Sequence, residues 1–382
     1  MEEKKLKLLR MSNIPVSIDV FCRDLLAELS KDYEVVVVSS PEKELESIRK
    51  REGVRTIGVK IERRISPLKD FKTLLRLVKI FKHERPDIVH TMNPKAGLLG
   101  MMAARYSGVR LRVHSFTGLV FPQAKGIKKY ILKTTDKITC RCATHILPEG
   151  NGVRKDLLFN KITSKPLRVL GYGNIRGIDI KYYSPDNAEI QPQASVLARK
   201  DMFTFIFVGR IARDKGIGEL VEAFLRLSDK RKDIRLFILG VDEPDDRPSA
   251  KILEAIRHTS QIEATGGVSD VRPYMKASDC LILPSYREGF PNSVIEGGAM
   301  GLPCIVTDIN GSNEIISNGV NGLIVPAKDT EALCRAMGKV VEDRQLYDRM
   351  RMNARQMVIH RFDRTLVWNS LKAFYKDITE NH

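Results

Sequence analysis

Short apolar runs alternate with longer amphipathic stretches along the whole chain, and the pattern occurs twice. In the first half, residues 6–14, 34–40, 54–59, 87–92 and 111–117 read as strands. Residues 19–30, 68–83 and 95–107 carry apolar side chains at helical spacing, and a last strand is expected within 167–185. In the second half the strand pattern returns at 202–209, 235–239, 262–266, 280–284, 304–308 and 323–325, and 344–378 reads as helix. Apolar strands alternating with helices predict parallel sheets covered on both faces, so the expected class is α/β with doubly wound units. No G-x-G-x-x-G follows the first strand, which argues against a dinucleotide site.

A chain of 382 residues with 43% hydrophobic content suits two soluble domains. No run approaches the roughly 20 apolar residues of a membrane span. The charged start MEEKKLKLLR is unlike a secretory signal, so a cytoplasmic protein is expected. Six cysteines are scattered, Cys140-x-Cys142 lacks zinc spacing, and reduced structural thiols are expected. Charge adds more. Residues 1–180 carry 36 Lys+Arg against 19 Asp+Glu, a difference of 17 that equals the +17 of the whole chain. So one-sided a field implies an anionic partner: a membrane surface, a phosphorylated acceptor or nucleic acid. No helix-turn-helix, zinc or RNA-binding signature supports nucleic acid.

Residues 123–143 predict a helix in which Lys125, Lys129, Lys133, Lys137 and Arg141 recur every four positions, with Ile127, Tyr130, Ile131 and Ile138 off that stripe. Two readings stand: a solvated face opposite a packed one, or an interfacial helix on anionic lipid, where each cation contributes about 1 kcal/mol. Lys128, Arg63 and Arg64 enlarge the patch.

The candidate chemistry centres on residues 280–309, CLILPSYREGFPNSVIEGGAMGLPCIVTDI. A buried strand runs into the turn formers Gly289, Pro291 and Asn292, then a helix start with Ser293 as expected N-cap and Glu296 three positions on, as in a capping box. Such a loop lies at the carboxyl end of a strand, where open α/β sheets bind ligands, and a helix start seats phosphate. After the 203–209 run comes GRIARDKG, in which Arg210 and Lys215 could clamp a diphosphate, Arg by a planar fork and Lys as a point charge, with Arg213 left to solvent. The acidic loop 242–246 reads as solvated rather than metal-holding.

The match of residues 284–303 to PSxxEGFPxSxxEAxAxGxP, with Glu288 and Glu296 as its E-x7-E, resembles the retaining glycosyltransferases of family four. GRIARDKG resembles that family's GRLxxxKG segment. The segment HTMNPKAGLLGMMAAR resembles one seen in many bacterial polysaccharide glycosyltransferases, and SYREGFPNSVIEGGAMG with the TDINGSNEI that follows resembles bacterial N-acetylhexosaminyl- and related transferases of capsule, O-antigen and glycoprotein pathways. The resemblance implies the GT-B architecture, two Rossmann-like domains facing a central cleft. It also implies a hinge near Tyr183, giving domains at 1–183 and 184–365, with residues 366–382 forming a helix that crosses back to the first.

By the same resemblance, the protein moves a sugar with retention from a nucleotide donor, most simply a UDP-sugar, to a lipid-linked saccharide, polyprenyl diphosphate being the expected carrier. It would act peripherally on the inner face of the plasma membrane. Arg210 and Lys215 would stabilise the departing diphosphate, Glu288 would lie near the donor sugar, and Glu296 would hold the ribose. Val268 would meet the base, and the stretch Gly289, Phe290, Pro291, Asn292, Ser293 and Val294 would bind the sugar hydroxyls and distal phosphate through the backbone amides around it. No cofactor or metal is expected. In the first half His90, Asn93, Lys95, His114, Thr117 and Gly118 are acceptor-side candidates. Family members often carry histidine where Thr117 stands, and strict strand alternation would point His114 and Thr117 to opposite faces. The loop 14–18 lacks the glycine pair that relatives use near the diphosphate. The rivals are an epimerase or phosphorylase of the same architecture and a basic nucleic-acid-binding protein.

Overall fold

The computed structural model describes residues 5–63 and 65–381. The chain forms two compact units, Met1–Arg176 with Thr365–His382, and Gly177–Arg364. In the first, β1 (Lys7–Met11), β2 (Glu34–Ser39), β3 (Arg55–Gly58), β4 (Ile88–Met92), β5 (Leu111–Phe116) and β6 (His145–Pro148) form a parallel sheet ordered β3-β2-β1-β4-β5-β6. In the second, β7 (Phe203–Val208), β8 (Ile234–Leu239), β9 (Ile262–Gly266), β10 (Cys280–Leu283), β11 (Cys304–Thr307) and β12 (Gly322–Val325) are ordered β12-β11-β10-β7-β8-β9, again parallel. Both orders reverse beside the first strand of the set, at β1/β4 and β7/β10. Loops leaving the carboxyl ends there diverge to opposite faces and open a crevice.

Three local features differ from the sequence expectation. The sixth strand of the first sheet is His145–Pro148, and among the described residues the 167–185 passage adds to that sheet only a bridge from Leu167 to Ile146. Positive φ at Gly171, Gly173, Asn174 and Gly177 turns that passage too often for a ladder. The helix expected at 19–30 is two pieces, Pro15–Cys22 and Leu25–Leu29, separated where Asp24 takes φ 61°. The tail is also two helices, Arg344–Phe362 and Arg364–Glu380. Asp363 is extended between them, where Ile178 N donates to Phe362 O (2.8 Å) and Arg364 N donates to Ile178 O (2.9 Å). This pairing ties Ile178 into the second unit, so the division falls at Gly177 instead of near Tyr183.

Helices cover both faces of the first sheet. On one face, Leu371, Phe374, Tyr375 and Ile378 of the last helix are buried against Leu8, Val35 and Val37. On the other, the Pro94–Tyr106 helix lies between Pro67–Glu84 and Gly126–Cys142 and packs on both. All six cysteines are free, five of them buried.

Candidate active site

The second unit brings two loops together at its switch point. The chain leaving β7 passes through Arg210, makes the short Arg213–Lys215 turn and enters the Ile217–Lys230 helix. The chain leaving β10 runs over 284–291 into the Asn292–Ala299 helix. Tyr286 N donates to Asp214 O (2.8 Å), Ser285 Oγ donates to the same carbonyl (3.1 Å), and Thr307 Oγ1 donates to Ser285 O. Gly216 makes this approach possible. It takes φ +68°, and a Cβ there would lie 2.0 Å from Pro284 O.

Charges converge on this seam. Lys215 Nζ donates to Glu288 Oε1 at 2.6 Å, both side chains about 15% exposed. Arg210 is more open and pairs with Glu243 at 2.5 Å, its Nη2 standing 3.7 Å from Asp214. Arg287 Nη2 donates to Asp214 Oδ2 at 3.2 Å. Asp214 is therefore a hub of the site, joined to partners that are distant in sequence. The acidic loop is also more than a solvated turn. It follows β8 at the same edge, and Asp246 accepts from Arg213 Nε (2.9 Å) and Asp214 N (2.8 Å), pinning the basic turn.

The helix after the loop begins at Asn292 with Pro291 as N-cap, so Ser293 lies inside the first turn and Glu296 falls beyond capping reach. The N-cap residue Pro291 has no side chain able to cap this start, and first-turn amides of such a helix can serve a ligand. Phe290 and Val294 are buried in the core, Phe290 edge-on to Phe362, so only their backbone could meet a donor. Val294 N already donates to Pro291 O (3.2 Å). Gly289 is half-buried, and its carbonyl packs where a Cβ on Gly311 would come within 2.3 Å. Glu296 is 9% exposed on the helix. Val268 sits in the turn after β9, two strands from β7.

The candidates in the first unit separate into two sets. Asn93, Lys95, Thr117 and Gly118 lie just past the carboxyl ends of β4 and β5. Asn93 accepts from Ser12 Oγ (2.7 Å), and Lys95 pairs with Asp70 (2.8 Å). His90 and His114 are instead interior residues, each 1% exposed. His90 Nδ1 accepts from the buried Arg10 (2.6 Å) and Nε2 donates to Ser115 Oγ (2.7 Å), while Tyr375 Oη also lies 2.6 Å from Nδ1. His114 Nδ1 lies 2.8 Å from Thr91 Oγ1, and its ring fills the space beside Gly97. Both strands are buried on both faces, which the alternation argument could not register.

Burial, then the Arg10 charge, holds the His90 imidazole well below its usual range, and burial pushes His114 down to about 3. The unfolded chain thus binds a proton at these histidines that the folded chain does not. Their contribution to stability is present above about pH 6.5 and is lost as pH falls below it, for His114 down to about 3, by up to about 1.4 kcal/mol per pH unit each. Asp136, pushed up to about 7 by burial, opposes this over about pH 4–7. Urea unfolding of His114→Gln beside the parent should isolate one histidine: the fall in stability between pH 6.5 and 5 becomes shallower.

The basic stripe is only partly solvent-facing. Lys125 precedes the Gly126–Cys142 helix, and Lys125, Lys128 and Lys137 are exposed, but Lys129 and Lys133 are half-buried. Lys133 lies 5.9 Å from the Phe121 ring and donates to Asn160 Oδ1 (3.4 Å). Ile127 and Tyr130 are exposed rather than packed, because the inward face is formed by Asp136, Thr139, Cys140 and Cys142 farther along. Arg63 is exposed, and Arg64 lies outside the described residues.

Two family models match the chain: Glycosyl transferase 4-like over residues 15–147 and Glycosyl transferases group 1 over residues 190–357. The chain is a glycosyltransferase. This glycosyltransferase is 28% identical to a capsular polysaccharide biosynthesis glycosyltransferase of Staphylococcus aureus, over 97% of each chain. It is also 28% identical to the UDP-Gal:alpha-D-GlcNAc-diphosphoundecaprenol alpha-1,3-galactosyltransferase of Escherichia coli, over 84% of this chain and 82% of that one. A solved Anabaena protein, HepE in complex with UDP, shares the fold at TM-score 0.81 and 16% identity, covering 98% of this chain and 100% of its own.

Proposed function

We propose that the protein transfers a sugar, with retention, from a UDP-sugar to a lipid-linked saccharide in the assembly of a surface polysaccharide, and that the reaction needs no metal. The observation that carries this reading is the convergence of Lys215, Glu288 and Arg210 beside the Asn292–Ala299 helix start at the β7/β10 switch point. The capsular and diphosphoundecaprenol-linked relatives support the acceptor class, and the UDP complex of a structural neighbour supports the donor.

In the transfer, the bond from the anomeric carbon to the donor phosphate oxygen breaks, and the acceptor oxygen bonds to that carbon from the same side. The acceptor proton passes to the departing phosphate oxygen. Lys215 and Arg210 offset the negative charge that grows there, the term that usually contributes most to such catalysis. The first-turn amides and Glu296 position the donor. A nucleophilic role for Glu288 fits the geometry less well, because its carboxylate is already neutralised by Lys215 at 2.6 Å.

A panel of nucleotide sugars screened by thermal stabilisation identifies the donor, and proton NMR of the first product gives its anomeric configuration. The expected results are a UDP-sugar and the donor's own configuration, with a rate unchanged by EDTA. An inverted product, or a rate abolished by EDTA and restored by a divalent cation, would overturn the mechanism.

A further inference from the structure

Two helices of the first unit turn apolar side chains to solvent. The Pro67–Glu84 helix buries Leu74, Leu77 and Phe81, yet Leu68, Phe71 and Leu75, three and four residues apart on another face, are 82%, 61% and 49% exposed. Ile65, just before it, is 65% exposed. The Gly126–Cys142 helix exposes Ile127 (80%) and Tyr130 (74%) in its first turns. Both helices pack against Pro94–Tyr106 and so share one layer. Their starts also share one end of the sheet: Lys95, in the first turn of the middle helix, pairs with Asp70 in the first turn of Pro67–Glu84. Asn93, beside it, bonds Ser12 beyond β1. The exposed apolar residues thus flank the carboxyl ends of β1, β4 and β5.

Cations interleave with them. Lys72 and Arg76 are exposed on the first helix, and Lys125 and Lys128 at the start of the other. Scattered exposed apolar residues are ordinary. Two groups at one end of one layer, each set among cations, have the composition of a surface that lies on anionic lipid. A second copy of the chain is a poor occupant, since two such faces would carry charge of the same sign. The half of the chain that builds this layer also holds the whole excess of positive charge.

We infer that these helix starts are a membrane-docking surface that inserts Leu68, Phe71, Ile127 and Tyr130 into the headgroup–acyl boundary of an anionic bilayer, while Lys72, Arg76, Lys125 and Lys128 meet its phosphates. The inference rests on the proposed lipid-linked acceptor, because it sets the β1/β4 edge beside the layer in which such an acceptor is held. It goes further in assigning part of the attachment to apolar insertion. Charge alone would release the protein as salt screens it, whereas inserted side chains resist salt.

The test is co-sedimentation with vesicles of phosphatidylcholine, with and without phosphatidylglycerol, at low and high salt. L68S/F71S and I127S/Y130S should each lower partitioning onto the anionic vesicles about tenfold, with the loss persisting at high salt. F71W and I127W should each shift tryptophan emission to the blue when vesicles are added. Unchanged partitioning of both double variants at high salt would overturn the inference, as would unmoved emission while the protein sediments with vesicles. A dimer seen by light scattering and abolished by these substitutions, with vesicle binding intact, would overturn it too. Transfer to a short, water-soluble acceptor, measured in parallel, should be unchanged in both variants. Its absence in the parent protein would count against the proposed function and leave the vesicle result standing.

Discussion

Lys215→Ala is expected to lower kcat by about 10²–10³-fold, the usual cost of removing one preorganised group that stabilises developing negative charge. The fold should survive, because Lys215 and Glu288 both stand at the solvent edge of the seam and the backbone bonds around Asp214 do not use them. Calorimetric affinity for UDP should fall as well, since in the proposed mechanism the same cation meets the diphosphate in the ground state. Glu288→Ala should also lose most transfer, and the double variant tells what the pair does. If Glu288 acts by positioning Lys215, the two losses are strongly non-additive, as for groups that work as a unit. If it were a nucleophile, azide would restore turnover to Glu288→Ala as a glycosyl azide. Retained kcat in Lys215→Ala with unchanged UDP affinity would remove the clamp from the mechanism.

Gly216→Ala should be among the most damaging single methyls in the second unit. The residue sits at φ +68°, where a side chain costs about 1 kcal/mol or more, and its Cβ would lie 2.0 Å from Pro284 O. Neither neighbour can yield cheaply, because the obstructing atom is backbone at the end of β10. The turn after β7 and the loop after β10 must then move apart, breaking the bonds from Tyr286 N and Ser285 Oγ to Asp214 O. A loss of about 3 kcal/mol or more in urea unfolding is expected, together with a fall in kcat, since Lys215 and Glu288 ride on the two separated segments. Gly218→Ala is the control: a Cβ there meets nothing within 4 Å, and alanine suits a helix, so it should be neutral or slightly stabilising. Equal stability of the two variants would show that the seam is looser than its geometry.

Much of the second-unit site was legible because it is built from neighbours in sequence. The 284–296 loop and helix start and the GRIARDKG turn each lie within one short segment, where turn formers, cations and carboxylates can be read directly. The first-unit candidates were less legible. His90 and His114 lie on strands beside loops of the right composition, but which face each side chain meets depends on helices that pack there, including Tyr375 from the far end of the chain. The short strand His145–Pro148 was missed because four residues carry too little periodicity to read. Asp214 was overlooked because its partners, Arg287 and Tyr286, come from more than seventy positions away.

The amino-acid pattern by itself determined the α/β class, the two-unit alternation, the loops of the candidate site and the confinement of positive charge to the first half, since each depends on residue type at local spacing. Tertiary structure decided which of those groups meet. It set Lys215 on Glu288 and Arg210 on Glu243, withdrew both histidines into the core, and left Leu68, Phe71, Ile127 and Tyr130 in solvent. The reason is that pairing and exposure are fixed by the strand order and by what each helix packs against, and those contacts join residues far apart along the chain.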